Sequence, residues 1–232
     1  MSERLTAEEL EALGRVDTCT VANAIETFGG RLRNEGFAGP GVRCFTPQLP
    51  PAVGYAETLR IRSSSPPPEQ RFYFDRSDWW AALRQVPEPR ILVIEDIDPR
   101  VGVGAFVGGL HAHILRALGC VGAVTNGAVR DLPEVLAARL QLFGGNVSPS
   151  HAYAHVVEYG KPVSVAGLSI APGDLLHADQ HGVIRVPQDV AREIPAVAAR
   201  MRRHEQRVRE FCNSGSFSLD GLRELVEQDP EE

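Results

Sequence analysis

The sequence has a single lysine, Lys161, although lysine and arginine together number 24 among its 232 residues. Arginine stays protonated in proteins and does not form an imine with a carbonyl substrate, so any Schiff-base chemistry would have to use Lys161. A phosphate-binding loop of the GxxxxGK[ST] type is also excluded, because no lysine stands in that pattern.

Paired cysteines, long apolar runs and an excess of basic charge are absent as well. The four cysteines lie far apart without a CxxC spacing, which disfavours a zinc–thiolate site or a disulfide framework and makes the cytoplasm the expected compartment. No apolar run reaches the ~18 residues of a membrane span, and the acidic, amphipathic residues 1–16 do not resemble a signal peptide. The net charge of −6 argues against a nucleic-acid partner. The motifs GxSxG, GxGxxG and HExxH are missing, so serine-hydrolase, dinucleotide-binding and zinc-protease functions lose their main support.

What is present indicates a globular α/β protein. Hydrophobic residues make up 43% and charged residues 23% of the chain, which is ordinary globular usage. Strands and helices alternate through the middle, and this order predicts a parallel layer flanked by helices. The predicted elements are helices over 6–13, 20–28, 110–118 and 132–140, and strands over 53–61, 91–94 and 121–125.

The last third of the chain has a different pattern. After Gly145, short strands separated by glycine- and proline-containing turns predict antiparallel pairs in a compact β layer. These strands cover 156–158, 163–165, 168–170, 175–177 and 183–186. A helical tail over 189–211, with Pro195 as a kink or as its true start, precedes a last helix over 219–226. We expect one domain over 1–232, with its core at about 15–188 and its tail at 189–228.

The segment with chemical content runs from Gly108 to Asp131. Gly108-Gly109-Leu110-His111 opens a helix, whose first N–H groups favour a carboxylate or phosphate, and the glycines permit close approach of a ligand to the backbone. Arg130-Asp131 follows the next strand, where ligands collect in open α/β sheets. Arginine offers a fork for a carboxylate, and aspartate offers a hard oxygen ligand for a divalent cation. The pattern indicates a site for a small oxo-acid bound together with a metal.

Simpler interpretations stand beside this one. Asp131 precedes Glu134 by three residues, which is also the pattern of a helix cap, and Arg130 could be a solvated charge. The histidines at 151, 155, 177 and 181 have spacings that suit a metal only on a helix. We interpret them as hydrogen-bonded loop histidines, with a proton-transfer function for one of them as a secondary hypothesis.

The stretch from Gly108 to Asp131, with its glycines and its Arg-Asp pair, resembles the signature of the RraA-like family. This family holds the regulators of ribonuclease activity A and the 4-hydroxy-4-methyl-2-oxoglutarate / 4-carboxy-4-hydroxy-2-oxoadipate aldolases. The resemblance covers approximately residues 15–190. It includes the segments Val53-Gly54-Tyr55-Ala56-Glu57-Thr58, Ala171-Pro172-Gly173-Asp174-Leu175, and Asp179 with Gly182-Val183.

The resemblance implies an α/β/β/α sandwich of the phosphohistidine swivelling-domain type, assembled as a homotrimer or a hexamer. It implies a lyase dependent on Mg²⁺ or Mn²⁺ that cleaves a 4-hydroxy-2-oxo-dicarboxylate to pyruvate by a retro-aldol reaction, with oxaloacetate decarboxylation as a related activity. Asp131 would be the metal ligand, Arg130 would bind the substrate and assist catalysis, and the backbone of Gly108, Gly109, Leu110 and His111 would hold the substrate carboxylate. The scarcity of lysine agrees with a cation, rather than an imine, as the electron sink.

Two departures from the family pattern bear on activity. Related aldolases carry an acidic residue at the position of Gly109 and commonly an aspartate at that of Asn126. His111 and His113 are candidates to compensate. Because family sites lie between subunits, a further acid could come from a neighbour's C-terminal helix, with Glu205 and Glu210 as open alternatives. The second functional hypothesis is a non-catalytic RraA-like regulator that binds a ribonuclease, and Gly109 is the feature that favours it.

Overall fold

The computed structural model describes residues 4–67 and 78–227, and within these ranges the chain has an α/β fold with C-terminal helices. The helices are α1 (Ala7–Gly14), α2 (Thr18–Thr27), α3 (Asp78–Leu83), α4 (Gly109–Ala117), α5 (Leu132–Ala137), α6 (Ile194–Cys212) and α7 (Leu219–Glu227). The strands are β1 (Arg43–Cys44), β2 (Ala52–Arg62), β3 (Arg90–Asp96), β4 (Ala105–Val107), β5 (Cys120–Thr125), β6 (Ala128–Val129), β7 (Gln141–Gly144), β8 (Asn146–Val147), β9 (His155–Tyr159), β10 (Val163–Val165), β11 (Leu168–Ile170), β12 (Leu175–Asp179) and β13 (Gly182–Val186).

The main sheet has eight strands with a parallel centre. Its order is β1-β7-β5-β3-β2-β12-β13, and β9 pairs with the end of β2. The four neighbours β7, β5, β3 and β2 are parallel, whereas β1, β12, β13 and β9 are antiparallel additions. The parallel layer predicted from the strand–helix alternation is therefore confirmed.

The late strands differ from the prediction in where they pair. Only β10 and β11 form a separate antiparallel hairpin, while β9, β12 and β13 join the main sheet. The predicted antiparallel pairs are therefore confirmed for β10–β11 and β12–β13, but these pairs are divided between the hairpin and the main sheet and do not form one compact β layer. The turns determine hairpin pairing locally, but the choice of a sheet edge depends on contacts between distant parts of the chain.

Alternate residues of β2 divide the core between the two faces of the main sheet. Val53, Tyr55, Leu59 and Ile61 face the helices and pack in two clusters, one with α1, α2 and α6 and one with α3, α4 and α5. Ala56, on the other pleat, packs towards the β10–β11 hairpin on the opposite face. This two-residue alternation is the expected consequence of strand geometry.

Helix ends follow local chemistry, with one exception. The predicted capping box of Thr6 and Glu9 is present at α1, and Pro195 stands in the first turn of α6, so it marks the start of this helix. The helix predicted over 132–140 ends at Ala137, because Arg139 adopts a left-handed backbone (φ 56°) and β7 begins at Gln141. The last described residue is Glu227, so the predicted end of the tail at 228 lies outside the described residues.

A second sheet of three short parallel strands, β4-β6-β8, was not predicted from the sequence. Its strands are two or three residues long, which is too short for a recognisable period. Phe106, Val107 and Val129 from this sheet are fully buried in the cluster around α3, α4 and α5. The small sheet therefore has a fixed position on the main body, and its carboxyl ends carry the candidate site.

Candidate functional site

The carboxyl edge of the small sheet brings the glycine pair and the Arg-Asp pair together. Strand β4 leads into Gly108 and β6 leads into Arg130. The backbone N–H of Arg130 donates to the carbonyl of Val107 at 3.0 Å, which extends the pairing of the two strands by one bond. Two segments that are about twenty residues apart in sequence thus meet at one point, as the parallel arrangement requires.

The carboxylate of Asp131 caps α4 and does not cap its own helix. The N-cap residue of α4 is Gly108, which has no side chain to offer, and the N–H of Gly109 donates to Oδ2 of Asp131 at 3.1 Å. Asp131 is the N-cap of α5, yet its side chain makes no capping bond there, and its backbone is left-handed at φ 52°. The interpretation of Asp131 as a cap for the following helix is therefore wrong.

Arg130 lies against the same carboxylate. Its Nε is 3.1 Å from both oxygens of Asp131, and the two side chains are 28% and 34% exposed. Burial raises the pKa of Asp131, but the N–H of Gly109 and the charge and hydrogen bonds of Arg130 outweigh it, so this pKa lies below the usual range. The site therefore presents an ionised carboxylate and a guanidinium that are both accessible to solvent.

Charged side chains of the site cover both glycines. A Cβ at position 108 would lie 2.6 Å from Oδ2 of Asp131 and 2.9 Å from Cγ of Arg130. A Cβ at position 109 would overlap Oε2 of Glu134, from the first turn of α5, and would lie 2.7 Å from its Cβ. Any side chain at these positions would displace the charged groups of the site.

A network of hydrogen bonds supports the loop that precedes β4. Buried Asp96, at the end of β3, accepts from the N–H of Gly102 at 2.8 Å, and Ser63 Oγ accepts from the N–H of Gly104 at 3.1 Å. The side chain of Asn126 holds Asp96 in place through two bonds. Its Oδ1 accepts from the N–H of Asp96 at 2.7 Å, and its Nδ2 donates to the carbonyl of Asp96 at 3.0 Å. An aspartate could not make the second bond. Asn126 is therefore a link between the ends of β3 and β5.

The remaining residues of the predicted backbone segment point in opposite directions. Leu110 is 62% exposed, whereas the ring of His111 is buried against Trp79 and Phe106, with Nδ1 3.1 Å from the carbonyl of Phe106. Burial lowers the pKa of His111 to about 4. His113 is exposed on the next turn. The expectation that the imidazole of His111 compensates for a missing acid is not supported, because this ring belongs to the core.

The histidines at 151, 155, 177 and 181 are hydrogen-bonded as expected, but only 151 and 181 lie in loops, whereas His155 begins β9 and His177 lies within β12. His151 Nδ1 lies 2.6 Å from the carbonyl of Ala105, and His155 Nδ1 lies 2.7 Å from that of Tyr153. His177 and His181 contact Thr18 and Asp179 respectively, at 3.0 Å each. In the part of the chain that the structure describes, no three histidine, cysteine, aspartate or glutamate side chains form a metal-binding group.

No helix within residues 4–67 and 78–227 has the length and apolarity to cross a bilayer.

Sequence analysis identified Gly108, Gly109, Arg130 and Asp131, which the structure brings together, but it missed the position of Glu134. Glu134 had the signature of a partner in a helix cap. The signal that could have identified it was the glycine at 109, which leaves room for a side chain from elsewhere.

This arrangement defines a class: an α/β protein in which a glycine-opened helix meets an arginine–aspartate pair at the end of a short parallel sheet. A family model described as RraA-like, Aldolase/RraA, matches residues 18–185. The chain belongs to this family.

Known relatives agree with this assignment. "Protein DlpA" of Legionella pneumophila is 29% identical over 61% of this chain, and the chain spans 23% of its length. A "Putative 4-hydroxy-4-methyl-2-oxoglutarate aldolase" of Alkalilimnicola ehrlichii is 31% identical over 54% of this chain and 77% of that protein.

Solved structures share the fold. An uncharacterized protein from Pseudomonas syringae pv. tomato matches with a TM-score of 0.72 and 25% identity, over 96% of this chain and 95% of that one. Streptomyces coelicolor RraAS2, described as an unusual member of the RNase ES inhibitor RraA protein family, matches with a TM-score of 0.68 and 25% identity, over 90% and 99% of the two chains. The RraA-like fold expected from the sequence is therefore confirmed.

Proposed function

We propose that this protein is a lyase dependent on a divalent cation, Mg²⁺ or Mn²⁺, that cleaves a 4-hydroxy-2-oxo-dicarboxylate to pyruvate. The observation that carries the proposal is the orientation of Asp131. Its ionised, one-third-exposed carboxylate points away from its own helix towards the opening of α4, beside Arg130. The names of relatives such as the Alkalilimnicola protein support the same reaction class.

The donor set at Asp131 fits a hard cation. Mg²⁺ is commonly held by one or two carboxylates, with water and substrate oxygens completing its shell, and Mn²⁺ accepts the same ligands. Asp131 would hold the cation, with Glu134 across Gly109 as the nearby second carboxylate. A bound cation supplies Lewis acidity towards the 2-oxo group of the substrate.

The chain's own groups have defined tasks in this reaction. Cleavage of the C3–C4 bond begins with loss of the proton from the 4-hydroxyl group. As the bond breaks, this oxygen becomes the carbonyl oxygen of the leaving keto acid. The electron pair of the bond stays on the pyruvate fragment as an enolate. A proton delivered to C3 then gives pyruvate. Arg130 would bind the carboxylate of this fragment through its terminal NH₂ groups, which make no hydrogen bond within residues 4–67 and 78–227, and would stabilise the developing negative charge. The first-turn backbone of residues 108–111 would orient the same carboxylate.

Lysine chemistry is a poor alternative here. Lys161 lies in the exposed turn between β9 and β10, which are elements separate from the loops that carry Arg130 and Asp131. Decarboxylation of oxaloacetate passes through the same pyruvate enolate, so we include it as a side activity of the site.

Assembly as a homotrimer or hexamer is part of this proposal. Exposed Leu110 stands at the opening of the site, where a neighbouring subunit could cover it. Glu205 and Glu210, on the exposed part of α6, stay the two candidates for an acid contributed across such an interface. The cytoplasm stays the proposed compartment.

The proposed function can be tested by following pyruvate release in a coupled assay. The substrates are 4-hydroxy-4-methyl-2-oxoglutarate and oxaloacetate, each with Mg²⁺, with Mn²⁺ and with a chelator. Turnover should require the cation, and Asp131→Ala should lower kcat/KM by at least about 100-fold, the scale of loss of a main electrostatic group. Turnover in chelator, or full activity of Asp131→Ala, would refute the mechanism.

A non-catalytic function is the second candidate. Gly109 in place of an acid, together with the similarity to RraAS2, favours a protein that binds a ribonuclease. This candidate predicts that no oxo-acid is turned over and that a ribonuclease co-purifies with the chain. Cation-dependent pyruvate release would remove its main support.

A further inference from the structure

The carboxylate of Glu134 occupies the space that a side chain at position 109 would fill. The Cβ of a residue at 109 would overlap Oε2 of Glu134 and approach its Cβ to 2.7 Å. Gly109 itself is buried, and its N–H donates to Asp131. Asp131 and Glu134 therefore cover consecutive residues at the opening of α4.

Glu134 suits the helix dipole as an acidic residue in the first turn of α5, but this role does not require its carboxylate to lie over Gly109. Its carboxylate makes no hydrogen bond or ion pair with any residue in 4–67 or 78–227. The capping box that its spacing from Asp131 suggested is absent, since the side chain of Asp131 is directed to α4.

Glu134 changes the net charge of the site. Arg130 and Asp131 form a pair with no net charge, which attracts a cation weakly. Glu134 adds one negative charge on the same side of the helix opening. A small divalent cation keeps several water ligands, and a nearby carboxylate can accept hydrogen bonds from them.

We propose that Glu134 is a positioning residue of the Asp131 site, which makes the site net negative and accepts hydrogen bonds from the water ligands of the cation. This inference rests on the proposed function. It also explains how the chain keeps a second carboxylate at the opening of α4 although residue 109 is glycine. The carboxylate comes from the first turn of α5 instead.

The test measures Mn²⁺ affinity by titration calorimetry, so its main readout is independent of turnover. Glu134→Gln should weaken Mn²⁺ binding by about 10–100-fold, the scale of a lost outer-sphere partner. The matched control is Glu8→Gln, which changes another exposed glutamate in the first turn of a helix, α1, and should bind Mn²⁺ as the wild type does.

A relocation experiment sharpens the test. Gly109→Asp alone should lower the melting temperature, because its Cβ would collide with Glu134. Gly109→Asp combined with Glu134→Gly, which removes the Cβ as well as the carboxylate, should melt at a higher temperature than Gly109→Asp alone and should recover most of the Mn²⁺ affinity lost in Glu134→Gly. Recovery of stability without recovery of affinity would overturn the proposal.

The outcomes separate this inference from the function on which it rests. Wild-type affinity in Glu134→Gln, together with lost affinity in Asp131→Asn, would overturn the function of Glu134 alone. A wild-type protein that does not bind Mn²⁺, or an Asp131→Asn variant that binds it normally, would overturn both.

Discussion

Two aspartates in this protein make the same kind of bond in different surroundings. Asp179, at the end of β12, accepts from the N–H of Thr18, the first residue of α2, at 2.9 Å. Asp131 accepts from the N–H of Gly109, the first residue of α4, at 3.1 Å. The pKa of each carboxyl lies below the usual range, because hydrogen bonds to the charged form outweigh the opposing effect of burial. Each carboxylate thus caps a helix to which it does not belong.

The two aspartates differ in how much of the side chain is exposed, and the first residue of the helix that each one caps contributes to this difference. Thr18 has a side chain that contacts His177, and His181 donates from its backbone to the other oxygen of Asp179, so the Asp179 side chain is only 8% exposed. Gly109, by contrast, has no side chain to cover the aspartate, and the Asp131 side chain is 34% exposed. The same kind of bond therefore holds a buried carboxylate where the surroundings are closed and a solvent-accessible carboxylate where they are open.

The largest expected effect concerns the closed site. Asp179→Asn should reduce the free energy of unfolding by about 2 kcal/mol, since a buried charge-assisted hydrogen bond is lost and an amide N–H₂ is placed against donors. Asp131→Asn should change stability by less than about 0.5 kcal/mol, the usual range for surface positions. Urea unfolding of both variants measures the difference. Equal losses of unfolding free energy in the two variants would contradict the statement that Asp179 contributes more to stability than Asp131.

A smaller effect is expected at Asn126, which supports the loop before β4. Asn126→Asp should cost about 1–2 kcal/mol, because the bond to the Asp96 carbonyl is lost and a second carboxyl approaches buried Asp96. Burial already raises the pKa of Asp96. The control is Asn213→Asp, which removes a similar bond to the Arg209 carbonyl at an exposed helix end. A variant at 126 as stable as this control would contradict the supporting function.

The last expected effect is absent at pH 7 and grows only below pH 6.5, because it is a dependence of stability on pH that arises in the core behind the site. The pKa of His111 is about 4 in the folded protein and near 6.5 when unfolded. Between these values the unfolded chain binds more protons, so stability is complete above pH 6.5 and declines towards pH 4, by up to about 1.4 kcal/mol per pH unit.

His111→Phe should reduce this slope and keep the packing against Trp79 and Phe106. Some slope should remain, because burial also lowers the pKa of His177. Unfolding curves between pH 4 and pH 7 would measure the change, with exposed His113→Gln as the control for loss of a histidine. An unchanged slope in His111→Phe would show that His111 is not the group that titrates.

The sequence predicts local features of this protein better than contacts between residues that are far apart in the chain. Thr6 and Glu9 form their capping box, Pro195 stands at the start of its helix, and Gly109 contacts Asp131, because each of these depends on chemistry within a few residues or on the edge of a parallel sheet. The sheet β4-β6-β8 has no periodic signature, so its existence is visible only in the fold. The contacts of Asp131 and Glu134 with the start of α4 were missed, since they arise from tertiary packing, and the glycine at 109 is their one trace in the sequence.

The left-handed backbone at Asp131 has a consequence for evolution. A residue other than glycine costs roughly 1 kcal/mol in that conformation, so Asp131→Gly would relax the chain while it deletes the acid. Laboratory selection for heat resistance without a screen for turnover would consequently enrich glycine at this codon. An aspartate at a left-handed position, where glycine has less strain, is what a selected chemical task would produce.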